Sequence, residues 1–395
     1  MRIGPWTLVG TLAVAQLVSW GSLFYSFALF VVPMEAELGW SRAELNGALS
    51  LGLLVAGLAA LPIGAWIDRR GAWLVMTGGS LLGAVACLAW SGVDNVLVFY
   101  AIWVALGLAQ AATLYEPAFA VITANLGAQA RQGILYVTLL GGFAGTVFAP
   151  LTQWLIDSIG WRDALLILSL GNILLCAVIH AVVLRGTRPP LRPRPPQGAG
   201  AGPLRRALRS PAFWGLLLMV VCNSFAFTAL VFHIIPLLRE RAVPMALIIV
   251  ILTLVGPAQV IGRLVLLSFG RRLRAVKVGI VPIVCLPVAL LILLLLPPHP
   301  VILAVYAVMH GIGNGVLTIA RGIIIPEILG TEGYATVSGA LALPATVARA
   351  AGPLAAAAIW TFGGYDAVLW LMLGLSAFGA TAYFAGVKPL SQRPS

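Results

Sequence analysis

The chain has 395 residues, of which 61% are hydrophobic and 9% are charged, and its formal net charge is +12. Soluble globular domains carry about 25% charged residues, so too few charges remain here to coat a water-facing surface. The basic excess does not form a nucleic-acid stripe, because most of it sits in short loops between apolar runs.

Those runs recur along the whole chain, and many reach the roughly 20 residues needed to cross a hydrocarbon core. Backbone polar groups in lipid must pair internally, which leaves helices or a closed barrel. The runs are continuously apolar and lack strand-period alternation, so they are helices. In chain order the spans fall at 7–33, 43–66, 73–92, 96–125, 132–157, 163–185, 211–237, 244–269, 276–296, 300–326, 334–361 and 365–386. The first run carries one Arg and no small-residue cleavage site, and reads as a retained helix.

With both termini placed inside, seventeen Lys and Arg residues fall on the inner side and four (Arg42, Arg162, Arg239 and Arg241) on the outer side. That bias predicts cytoplasmic termini. Residues 186–210 form the long polar stretch. Their Pro and Gly oppose a continuous helix, so they read as a basic linker between bundles at 1–185 and 211–395. A basic segment beside a membrane also suits anionic lipid headgroups. Cys87, Cys176, Cys222 and Cys285 all lie in apolar runs without metal or redox spacing, and read as packing residues.

The halves repeat at an offset near 203. Gly160 through Gly171 overlays Gly363 through Gly374 with seven of twelve positions identical, and Pro33 falls on Pro236. A constant offset at Gly, Pro and Asp implies two like bundles with a solute site between them near mid-membrane.

Between the second and third spans stands Gly64-Ala65-Trp66-Ile67-Asp68-Arg69-Arg70-Gly71. This segment resembles the G-x-x-x-D-R-x-G signature of the major facilitator superfamily, and the likeness extends over the whole chain. The resemblance implies twelve transmembrane helices in two pseudo-symmetric six-helix bundles. It also implies a gating latch at Gly64, Asp68, Arg69 and Gly71. A narrower likeness is to prokaryotic monocarboxylate and oxalate-type porters. It rests on Tyr25 through Glu44, on Tyr115-Glu116-Pro117 and on Gly160-Trp161-Arg162. By that resemblance Arg263 occupies the place of the eighth-helix Arg that grips a substrate carboxylate. Gln259 stands where vertebrate-type members have an acid, and Trp103 where many sugar and drug carriers have an Arg.

Arg263, Arg321 and Arg349 lie inside spans, with Glu116 as the acid deep in a helix. A charge at the helix centre costs about 2.5–3.5 kcal/mol on insertion scales, so such residues face a cavity or a partner. A positive surplus favours an anionic solute, and the planar guanidinium suits a carboxylate. Candidate substrate-binding residues are therefore Arg263 and Arg349, with Tyr25, Tyr115, Gln110, Asn223 and Asn314 on the helices that family geometry places around a cavity. Gln16, Ser19 and Ser22 lie on the same helices, and Trp20, Phe24 and Tyr115 supply an apolar wall. Candidate proton-coupling groups are Glu116, His233 and His310.

No nucleophile–base pair, phosphate-cradling loop or metal-spaced cluster is present, so neither enzyme activity nor a metal or other cofactor is expected. The expectation is a monomeric, gradient-driven carrier of a small organic anion in the bacterial inner membrane, in contact with lipid and not with nucleic acid. An efflux carrier of amphipathic compounds and a non-transporting membrane sensor are the alternatives.

Overall fold

The computed structural model describes residues 4–187, 202–269 and 273–391. Among them there are helices and no strands. Twelve long helices follow one another: α1 Pro5–Leu38, α2 Arg42–Arg70, α3 Trp73–Ser91, α4 as two pieces (Val96–Thr113 and Tyr115–Leu126), α5 at 130–159 and α6 at 161–183. The second set is α7 Pro211–Glu240, α8 Met245–Phe269, α9 Ala275–Leu295, α10 Pro300–Ile328, α11 at 334–362 and α12 at 365–391. The backbone leaves helical geometry at Gly160 and again at Gly363–Gly364, which separates α5 from α6 and α11 from α12.

Local chemistry sets several ends. Ser41 and Glu44 make a reciprocal capping box at the start of α2. Asn95 accepts from the Leu97 and Val98 amides at the start of α4. The sequence ended α1 at residue 33, but the helix runs through Pro33 to Leu38 and stops where Gly39 turns left-handed at φ 70°. Proline inside a membrane helix is tolerated because neighbouring groups take up what it frees.

The chain divides into two compact units, Met1–Arg194 with Thr331–Ala342, and Pro195–Gly330 with Leu343–Ser395. The boundary near 194 falls inside the expected linker, of which 188–201 lie outside the described residues. A short helix at Pro203–Leu208 leads into α7. The start of α11 belongs with the N-terminal unit, which a simple cut after 210 does not foresee.

Each unit has its own core. The N-terminal core is rich in aromatic rings, with Phe30, Trp90, Phe99 and Trp103 fully buried. The C-terminal core is mainly aliphatic, with Leu230, Leu238, Leu290 and Leu369 around Tyr306. Apolar side chains also dress the outside, among them Phe362 at 90% and Leu97 at 77% exposure. In lipid these are solvated rather than stranded. The chain is a multi-pass membrane protein.

Each unit is tied at the end away from the linker. In the N-terminal unit Glu37, at the end of α1, accepts from Trp161 Nε1 (2.5 Å) and Arg162 Nε (2.8 Å). Arg162 also donates to the carbonyls of Ser91, at the end of α3, and Val93, just past it. In the C-terminal unit Arg241, after α7, donates to Asp366 (2.8 Å) and to the Leu293 carbonyl of α9. Glu240 there accepts from Trp360 Nε1 at 3.0 Å.

Candidate functional site

In the N-terminal unit the candidates gather where α1 and α4 lose regularity. Residues Gly21–Tyr25 of α1 form a π-helical turn. At Leu114 the α4 backbone swings to ψ −155°, and a new helix starts at Tyr115. Pro117 explains this break. It has no N–H for the Thr113 carbonyl four residues back, and its ring crowds that carbonyl. Trp20 lies 5.0 Å from the Tyr115 ring, 5.4 Å from Phe24 and 6.0 Å from Tyr25. Tyr115 stacks on Phe119 at 5.3 Å. Tyr25 is 42% exposed, whereas Tyr115 is buried. Glu116 is half-buried in the first turn of the second α4 piece. Gln110 is buried, and its Nε2 donates to the Leu23 carbonyl at 2.8 Å.

In the C-terminal unit the candidates centre on α10. Arg263, 6% exposed on α8, donates from Nε to the Gly315 carbonyl at 3.3 Å. The two helices come close there because a Cβ on Gly315 would press on the Gln259 backbone. His310 is buried one turn away, stacked between Phe227 (4.9 Å) and Tyr306 (5.7 Å). Its Nδ1 has no hydrogen-bond partner among the described residues. Asn314 is half-buried on the same helix. Asn223, on α7, lines a small pocket of about 10 Å³ with Met219, Cys222 and Ser376. Arg349 is exposed on α11. His233 stands apart. Its Nε2 donates to the Pro353 carbonyl (3.0 Å), and its Nδ1 meets the Tyr365 hydroxyl (3.2 Å).

The signature segment forms a third place, within the N-terminal unit. Asp68 is buried at the end of α2 and accepts three hydrogen bonds from the first turn of α11. Oδ1 takes the Ala335 amide (3.2 Å), and Oδ2 takes the Thr336 amide (2.7 Å) and hydroxyl (2.6 Å). The first N–H groups of a helix have no partners within it, and its N-terminal dipole favours an anion. Gly64 permits the approach, since a Cβ there would overlap the Ala335 carbonyl. Gly71 ends α2 at φ 83°, and Arg69 is exposed. The sequence flagged Asp68 but gave no sign of its partners, which lie 267 and 268 residues away. Arg162 and Arg241 were likewise read as loop charges. The offset of 203 that pairs Glu37 with Glu240 and Asp163 with Asp366 was the available clue.

Residues 12–286 match the profile of the Major Facilitator Superfamily. The chain belongs to that family. It is accordingly a transporter and not an enzyme. This major facilitator chain is 24% identical over 321 residues to monocarboxylate transporter 13 of Bos taurus, covering 78% of this chain and 71% of that protein. It is 30% identical over 147 residues to monocarboxylate transporter 13 of Rattus norvegicus, covering 36% of this chain and about a third (34%) of the rat protein. Its fold matches the crystal structure of the human organic anion transporter MFSD10 (TETRAN) with a TM-score of 0.70 at 18% identity, over 95% and 98% of the two chains. It also matches the major facilitator transporter FucP in the outward conformation with a TM-score of 0.75 at 15% identity, over 98% and 99%.

Proposed function

We propose that this major facilitator chain is a secondary carrier of a small carboxylate, working by alternating access in the bacterial inner membrane with both termini in the cytoplasm. The observation that carries the proposal is Arg263, a guanidinium 6% exposed within a membrane span and steadied through Nε by the Gly315 carbonyl. Burial at that depth is costly, and a bidentate anion offsets it well. Relatives named as monocarboxylate transporters support the sign of the charge. In this reading Arg263 grips the carboxylate and Arg349 adds a second positive charge. Tyr25, Tyr115, Asn223 and Asn314 shape the remainder of the site. Gln110 is already engaged by the Leu23 carbonyl.

Proton coupling is assigned to Glu116 and His310. His233, held at both ring nitrogens, serves as the lesser candidate. Gly64, Asp68, Arg69 and Gly71 form the gate. The three bonds that Asp68 accepts from the first turn of α11 are made and broken in each cycle.

The test is uptake of labelled mono- and dicarboxylates into proteoliposomes, with and without a pH gradient. Saturable uptake of at least one carboxylate, faster with a proton gradient directed inward, is expected. Silence across the panel together with export of cationic dyes would overturn the reading in favour of an efflux carrier.

A further inference from the structure

The irregular segments of α1 and α4 are joined by two buried glutamines in a reciprocal manner. Gln16, on α1, donates from Nε2 to the Thr113 and Leu114 carbonyls at the α4 break, at 2.6 and 3.4 Å. Gln110, on α4, donates from Nε2 to the Leu23 carbonyl inside the π-helical turn of α1, at 2.8 Å. Both side chains are buried, at 0% and 3% exposure. A π-turn and a proline break each leave carbonyls without their usual donors. Here each helix lends an amide to the irregularity of the other.

A third helix is wired to the same point. α6 also contains a π-helical turn, Asn172–Ala177, and Asn172 Nδ2 donates to Ser22 Oγ of the α1 turn at 2.7 Å. Among the described residues the C-terminal unit has no such π-helical turn or paired glutamines. At the offset of 203, Gln16 falls on Met219, Gln110 on Gly313 and Pro117 on Ala320. The corresponding helices α7 and α10 run unbroken from Pro211 to Glu240 and from Pro300 to Ile328.

We infer that Gln16 and Gln110 are positioning residues that couple two hinges, so that α1 and α4 bend as one body while α7 and α10 stay straight. Sharp bends in helices arise at such interruptions, and separate interruptions would move separately unless cross-linked. The inference rests on membership of a transporter family and is independent of the proposed substrate. Its failure and the failure of the carboxylate reading are therefore distinguishable.

The experiment is amide hydrogen exchange, read by mass spectrometry, on the full chain in lipid nanodiscs with no substrate added. In the unaltered protein, amides at 21–27 and 114–120 are expected to exchange at matching rates, faster than those at 224–230 and 317–323. Gln16→Met, which copies the C-terminal residue, and Gln110→Leu are each expected to raise exchange about tenfold in both N-terminal windows. The double variant is expected to match either single one. Exchange that differs between the two windows in the unaltered protein overturns the inference without any variant. So does a rise confined to one helix, or effects that add in the double variant. Unchanged exchange over 275–328 reports that a variant is folded.

Discussion

At the ends away from the linker, the N-terminal unit joins α1, α3 and α6 through Glu37 and Arg162, and the C-terminal unit joins α7, α9 and α12 through Arg241 and Asp366. The acid and the base have changed places between the repeats. In both, the arginine is the member that also takes helix-end carbonyls, whichever helix carries it. What the repeat preserves is a donor for orphaned carbonyls plus a carboxylate that orients it, and not a residue type at a position. The same lesson holds deeper in the membrane. One half breaks α1 and α4 and cross-braces the breaks with glutamines, while the other keeps α7 and α10 whole over an aliphatic core. The aromatic rings of the N-terminal core accompany the broken helices.

Three further experiments would break or sharpen this contrast. The largest effect is expected at the proposed gate in the N-terminal unit. Asp68→Ala removes all three bonds to the first turn of α11, and transport is expected to fall by about tenfold or more. Initial uptake rates measure this, and Thr336→Val should lose less, because the Thr336 amide remains. Rates within twofold of the unaltered protein for Asp68→Ala would remove the gate from this contact.

Next comes the C-terminal arginine. Arg263→Lys keeps the charge but loses the planar fork, and is expected to raise KM for the carboxylate by roughly tenfold with a smaller change in Vmax. Unchanged KM in both Arg263→Lys and Arg263→Gln would take the residue out of binding.

The smallest effects are expected at the clasps. Arg162→Ala leaves the Ser91 and Val93 carbonyls without their donor and should lower stability by about 1–2 kcal/mol, read as the thermal midpoint in detergent. Asp366→Asn should cost about 0.5 kcal/mol or less, because the Asp366 side chain is 71% exposed and such pairs are screened. If the acid outweighs the arginine in either half, the carbonyl-donor account of the clasps is wrong.

The segments that cross the membrane were legible because insertion depends on local apolarity and length, which any window of the chain displays. Asp68 was legible as a candidate too, since it stands with Gly64 in a short motif. The hinges were only half legible. Pro117 announces that the Thr113 carbonyl loses its usual donor, yet nothing near it in the chain names Gln16, 97 residues away, as the replacement. Gln110 was read as facing solute, because a polar side chain in a span has either a cavity or a helix partner and its sequence does not say which.

By itself, the sequence determined that this chain is a two-fold repeated, helical membrane transporter. Apolar runs, prolines, glycines and loop charges each act on the lipid or on their immediate neighbours. Tertiary structure alone decided where the buried amides, arginines and carboxylates are spent. In a medium without water, the Gln16 and Gln110 amides take the distant carbonyls that packing brings within about 3 Å, and that choice is made by the bundle as a whole.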